Sequence, residues 1–133
     1  MQQSQVGINT INHIANRNVV IEMVTMKQYH TNRGYQQGNK IKIFLSNIKS
    51  KRVVAQTIIH EMTHYYYNIG NCQHAEAICF AMEKMHALNR DYLTEEELKK
   101  MVQLAIDNYP ELEWEDGGYG DFKQFDFVRR ATK

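Results

Sequence analysis

Two periodicities divide the chain. Residues 8–16 place Ile8, Ile11, His13 and Ile14 at loosely helical spacing, which predicts a short helix. The run "VVIEMVTM", residues 19–26, is β-branched and strand-like. "HTNRGYQQGN" follows as a turn-rich loop containing Gly34 and Gly38, and "KIKIFLS", residues 40–46, alternates polar and apolar positions as a half-exposed strand does. The two strands predict an antiparallel β-hairpin with a long loop. From about Lys51 the period becomes helical, with Ser50 as N-cap and Gly70 as the left-handed stop. Asn71 is then placed to cap a second helix over roughly Cys72 to Asn89. Thr94 with Glu97 forms a capping box for a third, which ends near Asn108 ahead of Pro110. The pattern predicts one α+β domain, residues 1–133, with residues 117–133 as an aromatic, Gly-rich tail that docks on the core or stays mobile.

Composition narrows the function classes. The apolar fraction is 43%, the charged fraction 23% and the net charge +1 over 133 residues, values ordinary for a single globular domain. A balanced charge with no basic stripe argues against a nucleic-acid partner, and no apolar run reaches membrane-spanning length. The opening "MQQSQVGINT" lacks the pattern of a secretory signal. Cys72 and Cys79, if both lie on one helix, are about 10 Å apart along its axis, too far to bridge. Unbridged thiols without an export signal predict a reducing, cytoplasmic location, and both cysteines read first as small buried hydrophobes.

Within "TIIHEMTHYYYNIG", residues 57–70, His60 and His64 stand four apart with Glu61 directly after the first. On a helix, positions four apart share a face, so both imidazoles can converge on one ion while Glu61 projects about 100° around, within reach of a water held there. On a helical wheel Ala55, Ile58, Ile59, Met62, Tyr65, Tyr66 and Ile69 form an apolar arc, and Val53, Thr57, His60, His64 and Tyr67 lie opposite. Histidines serving only as core would sit inside the apolar arc. Neutral imidazoles suit zinc, and a catalytic zinc ordinarily takes three protein ligands plus a water.

The third ligand must come from the next helix. If the two helices form a hairpin turning at Gly70, His64 lies six residues before the turn and Glu76 six after, which puts them level. Glu83 then falls about a turn too far and His86 further still. His74 is nearly level too, on the opposite side from Glu76, so only one of them faces the ion; Glu76 is favoured and His74 is the alternative. Placing Glu76, Phe80 and Glu83 toward the first helix requires the second to be buried on two sides.

The motif HEMTH followed by "HAEAICFA" resembles the gluzincins, zinc peptidases that pair an HExxH helix with a glutamate helix. Glu76-Ala77-Ile78 is similar to the E-A-I run that opens on their third ligand. The size resembles minigluzincins, and Glu76, Ala77, Phe80 and Ala81 look like the ImmA/IrrE group of bacterial and phage intracellular peptidases. The resemblance covers about residues 40–89. It implies a small zincin-like domain, an antiparallel sheet packed over the active-site helix and a cleft-lining edge strand that pairs with substrate main chain; "KIKIFLS" is the candidate strand. It also implies Zn2+ held by His60, His64 and Glu76, and hydrolysis of a protein or peptide substrate with Glu61 as general base. Phe80 stands where such enzymes carry an aspartate, which leaves a hydrogen-bond partner of the histidines unassigned.

An oxyanion donor is also needed, and Tyr67 and His86 are its candidates. His13 and His30 have no partner spacing and read as solvated. The competing functional reading is a non-catalytic zinc-containing protein-binding module. Glu61 argues against it, because a structural zinc needs no base and fills its fourth position with Cys or His.

Overall fold

The computed structural model describes residues 4–70 and 72–113. Ser4, whose hydroxyl accepts from the Gly7 amide, starts helix α1 at Gln5–Asn16, three residues earlier than hydrophobic spacing alone places it. Strands β1 (Val20–Val24), β2 (Gly34–Gln37) and β3 (Lys40–Phe44) form one sheet. Helices α2 (Lys51–Tyr66), α3 (Gln73–Leu88) and α4 (Glu95–Asn108) follow. Among the described residues no helix is long and apolar enough to cross a membrane. The tail expected at residues 117–133 lies outside the described residues.

The expected hairpin is corrected. The strand order is β1-β3-β2, with β1 parallel to β3 and β2 antiparallel to it. The hairpin is β2–β3, closed by Gly38-Asn39 between the paired residues Gln37 and Lys40, with Gly38 in the left-handed region at φ 57°. A two-residue turn therefore lies inside what composition reads as a long loop. The lysines of β3 accordingly do not protect an edge. Lys40 and Lys42 lie on the outer face of the central strand and pair with Glu22 on β1 at 3.6 and 3.9 Å, while Ile41 and Ile43 point inward and are fully buried.

Helix α2 lies between two apolar layers. Ile58 and Met62 pack with Ile41 and Ile43 of the sheet, and Ile59 packs with Ile78, Cys79, Met82 and Met85 of α3. The single apolar arc of the wheel is thus shared between two cores, and the remaining side of α2 faces a cleft. Helix α4 closes the far side of α3, with Leu98 and Met101 against that layer and Ala105 fully buried. Its capping box between Thr94 and Glu97 forms as expected.

The turn joining α2 to α3 differs in detail from expectation. Asn68, not Gly70, takes the left-handed conformation, at φ 51°. The Ile69 amide bonds back to the His64 carbonyl and the Asn68 amide to that of Tyr65, a Schellman ending. Asn71, expected to cap α3, lies outside the described residues; Cys72 is the N-cap, its sulfur accepting from the Ala75 amide at 3.3 Å.

Candidate metal centre

The α2–α3 hairpin brings His60, His64 and Glu76 together inside the protein. His60 Nε2 lies 2.9 Å from Glu76 Oε1, and His64 Nε2 lies 2.7 Å from Glu76 Oε2. The imidazole centroids are 5.2 Å apart. All three residues are buried. His74 is buried too, but it does not line the cleft that these residues face. Of the two third-ligand alternatives, the fold therefore presents Glu76.

The outer nitrogens are held as well. His60 Nδ1 meets Glu83 Oε2 at 2.6 Å, and His64 Nδ1 meets the Ile69 carbonyl at 3.2 Å. Each imidazole that donates from Nδ1 turns its Nε2 toward Glu76, the orientation a metal ligand requires. The Schellman ending at Asn68 is what folds the Ile69 carbonyl back over His64. Glu83, set aside as a ligand for lying a turn too far, is instead the carboxylate that steadies His60.

Electrostatics follow from burial and pairing. Burial pulls the His60 pKa down, but hydrogen bonds and charge from Glu76 and Glu83 outweigh it and push it up to about 10. Burial pushes Glu76 up, and its two histidine partners outweigh that and hold it at about 2. Glu61 is raised, chiefly by burial, although the histidines pull the other way. A half-buried carboxyl held above its ordinary range beside the pair is placed to exchange a proton.

The cleft has a volume of about 570 Å³. Residues 31–36 form one wall, His60, Glu61, His64 and Glu76 the floor, and Phe80, Glu83, Asn108 and Tyr109 the far side. The strand that lines it is β2, an edge of the sheet, so "KIKIFLS" is displaced from that role by its position in the centre. Gly34 of β2 is packed tightly on α2: a Cβ there would lie 2.6 Å from Thr57 Cγ2 and 3.2 Å from Glu61 Cγ. Only a glycine lets the strand come this close to the glutamate.

The two expected oxyanion donors are elsewhere. Tyr67 caps α2 and lines a separate pocket with Tyr66, His13 and Met62. His86, near the far end of α3, hydrogen-bonds through Nδ1 to the Ser4 hydroxyl. His13 is not merely solvated but stacks on Tyr66 with centroids 3.6 Å apart, and His30 packs edge-on to Phe44. Two residues that the sequence reading did not bring to the site are there. Tyr109 lines the cleft together with Glu76, and burial with the nearby Glu76 charge raises its pKa. Cys79, one turn after Glu76 on α3, offers a sulfur that groups with nitrogens of His60 and His64, all within 4.8 Å of one another. Its i+3 spacing from Glu76 was the available signal.

The donor chemistry fits a divalent ion such as zinc: two imidazoles and a carboxylate converge, with a buried thiol beside them. No family model, no curated protein and no solved structure matches this chain.

Proposed function

We propose that this chain is a small zincin-like, zinc-dependent endopeptidase of the gluzincin type, acting on a protein or peptide in a reducing, cytoplasmic setting. One observation carries the reading. The Nε2 atoms of an HExxH pair both close on one buried carboxylate from the next helix, each with its Nδ1 already engaged. Such an arrangement is a ligand set with its outer hydrogen bonds in place.

His60, His64 and Glu76 would hold zinc, which when bound supplies Lewis-acid polarisation of a water and of the scissile carbonyl. The chain's own groups do the rest. Glu61 takes the proton of the attacking water as oxygen bonds to the carbonyl carbon. It returns that proton to the amine nitrogen as the C–N bond breaks. The β2 edge offers main-chain groups along the cleft wall for an extended peptide. The His60 proton must leave before its Nε2 can ligate.

The test pairs metal analysis with Glu61→Gln. The variant should hold zinc at the wild-type ratio and cleave none of the unfolded fragments that the wild type cuts. Wild-type protein that takes up no zinc after chelator-free purification would sink the proposal.

Cys79 favours a second reading, a non-catalytic centre in which its thiolate fills the fourth position. Against it, Cys79 is fully buried in the apolar layer with Ile59 and Ile78, and burial drives its thiol pKa up. Cobalt substitution separates the two: a thiolate-to-cobalt charge-transfer band, lost in Cys79→Ser, would support the closed site.

A further inference from the structure

Phe80 and Tyr109 place two aromatic rings on the far side of the cleft, and among the described residues neither packs into the apolar layers that flank α2. Phe80 lies four residues after Glu76, one turn along the same face of α3. Its ring meets the His60 imidazole in a T-shaped contact, with centroids 5.2 Å apart, and lies 6.3 Å from the Tyr109 ring at an interplanar angle of 39°. Both residues are half-buried. Tyr109 is fixed through its main chain: its amide donates to the Ala105 carbonyl at 3.0 Å, and its carbonyl accepts from Gln73 Nε2 and from the Leu112 amide, each at 3.1 Å. A surface held in place before binding costs little to order.

The opposite wall differs. Residues 31–36 line it with polar side chains and main chain, and Tyr35, paired with Lys42, shares the outer face of the sheet with that lysine. A cleft that is polar along one wall and aromatic on the other offers its apolar surface to one part of a bound chain. In an extended peptide successive side chains point to opposite sides. Of the two that flank a bond held at the metal centre, one alone can meet Phe80 and Tyr109. An aromatic side chain suits this surface, because two fixed rings give an incoming ring edge-to-face partners, worth more than its area alone. Glu83, the carboxyl group on the same side of the cleft, is engaged with His60 Nδ1 and is not a free partner for a basic side chain. We propose that Phe80 and Tyr109 form a specificity subsite, which selects peptides carrying an aromatic side chain directly beside the bond to be cut. The inference names a substrate class for the endopeptidase reading above and rests on it.

The experiment uses the zinc-loaded full chain and hydroxamates, which bind an open zinc without being cleaved. N-acetylated amino-acid hydroxamates and 2-substituted succinyl hydroxamates put the side chain on opposite sides of the ion. In one of the two series the benzyl compound should bind about 3- to 10-fold tighter than the isobutyl compound in calorimetry. In Phe80→Leu, which keeps an apolar body against His60, that preference should fall below about twofold, while the affinities for zinc and for the methyl compound stay within about threefold of wild type. Tyr109→Leu should lower the preference in the same direction, and it decides the matter if Phe80→Leu does not fold. Equal binding of benzyl and isobutyl compounds in both series, tighter binding of the compound with an arginine side chain, or a preference that survives substitution would overturn the inference and leave the metal centre standing. A wild type that takes up no zinc removes both.

Discussion

Replacing Glu83 with alanine tests how far metal binding at the proposed site depends on a residue outside the proposed ligand set. Its carboxylate lies 2.6 Å from His60 Nδ1, with the two side chains only 16% and 10% exposed. Two effects oppose each other. Losing the hydrogen bond makes His60 a poorer and less ordered ligand, worth about 10- to 100-fold in intrinsic metal affinity, or roughly 1.4–2.8 kcal/mol. Losing the charge also removes one of the two carboxylates that hold the His60 pKa at about 10, so the proton competes less with the metal. At pH 7 the second effect offsets much of the first, because there the metal must displace that proton. As the pH approaches 10 the competition disappears in wild type and variant alike, and the intrinsic loss stands alone. Chelator competition from pH 7 to pH 9.5 should therefore show a small deficit that widens with pH. Glu83→Gln, whose amide oxygen can still accept from Nδ1, should fall between. A deficit that is constant across the range, or none at pH 9.5, would refute the assignment of Glu83 to His60.

Three further outcomes follow from the geometry. Pairing with Glu76 and Glu83 raises the His60 pKa, so its contribution to the metal-free fold is complete below about 6.5 and is lost as pH rises through about 10. Glu76 is lowered, so its contribution is complete above about 4.5 and is lost as pH falls through about 2. The melting temperature of the metal-free chain should thus fall between pH 6 and pH 10, while the added stability from zinc grows over the same range; calorimetry at pH 7.5 should detect about one proton released per zinc bound. Gly34→Ala drives a Cβ to 2.6 Å from Thr57 Cγ2, whose hydroxyl is pinned to the Val53 carbonyl, and should cost about 1–3 kcal/mol in chemical denaturation. Adding Thr57→Ser, which deletes that methyl and keeps the hydroxyl, should recover most of it. Asn68→Gly should change stability by only a few tenths of a kcal/mol, whereas Asn68→Val should cost more than about 1 kcal/mol and also weaken metal affinity, because the Ile69 carbonyl no longer rests on His64.

The centre was legible to the extent that it is set by helical geometry. His60, Glu61 and His64 owe their juxtaposition to one turn of α2, and Glu76 could be placed by counting from the turn. Glu83 could not, because the count compares Cα heights. Side chains lean toward the N-terminus of their own helix, and α2 and α3 run in opposite directions. His60 therefore leans away from the connecting turn and Glu83 leans toward it, which closes the gap the count leaves. The sheet was misread for a different reason. Alternation in "KIKIF" reports one buried face and carries no information about neighbours, so a central strand and an edge strand look alike. Tyr109 was out of reach because its place in the cleft depends on the length of α4 and on how its last turn docks against Gln73.

The charges around the cleft give an independent reason to expect a cation. Glu61, Glu76 and Glu83 all line it, against Arg33 and the proton on His60. Three carboxyl groups thus share one half-enclosed space with two imidazoles and a single arginine. Buried charge is costly unless it is paired, and replacing such groups with apolar side chains often stabilises a fold. A chain selected only to fold would gain by losing one of these carboxylates. Here two of them reach the same imidazole from positions two turns apart on α3, and the third lies under β2 at Gly34, where only a glycine lets the strand approach. A divalent ion that displaces the His60 proton adds one net positive charge beside these carboxyl groups. The proposed dication would pair with these buried carboxyl groups, which a chain selected only to hold two helices together would have no reason to keep.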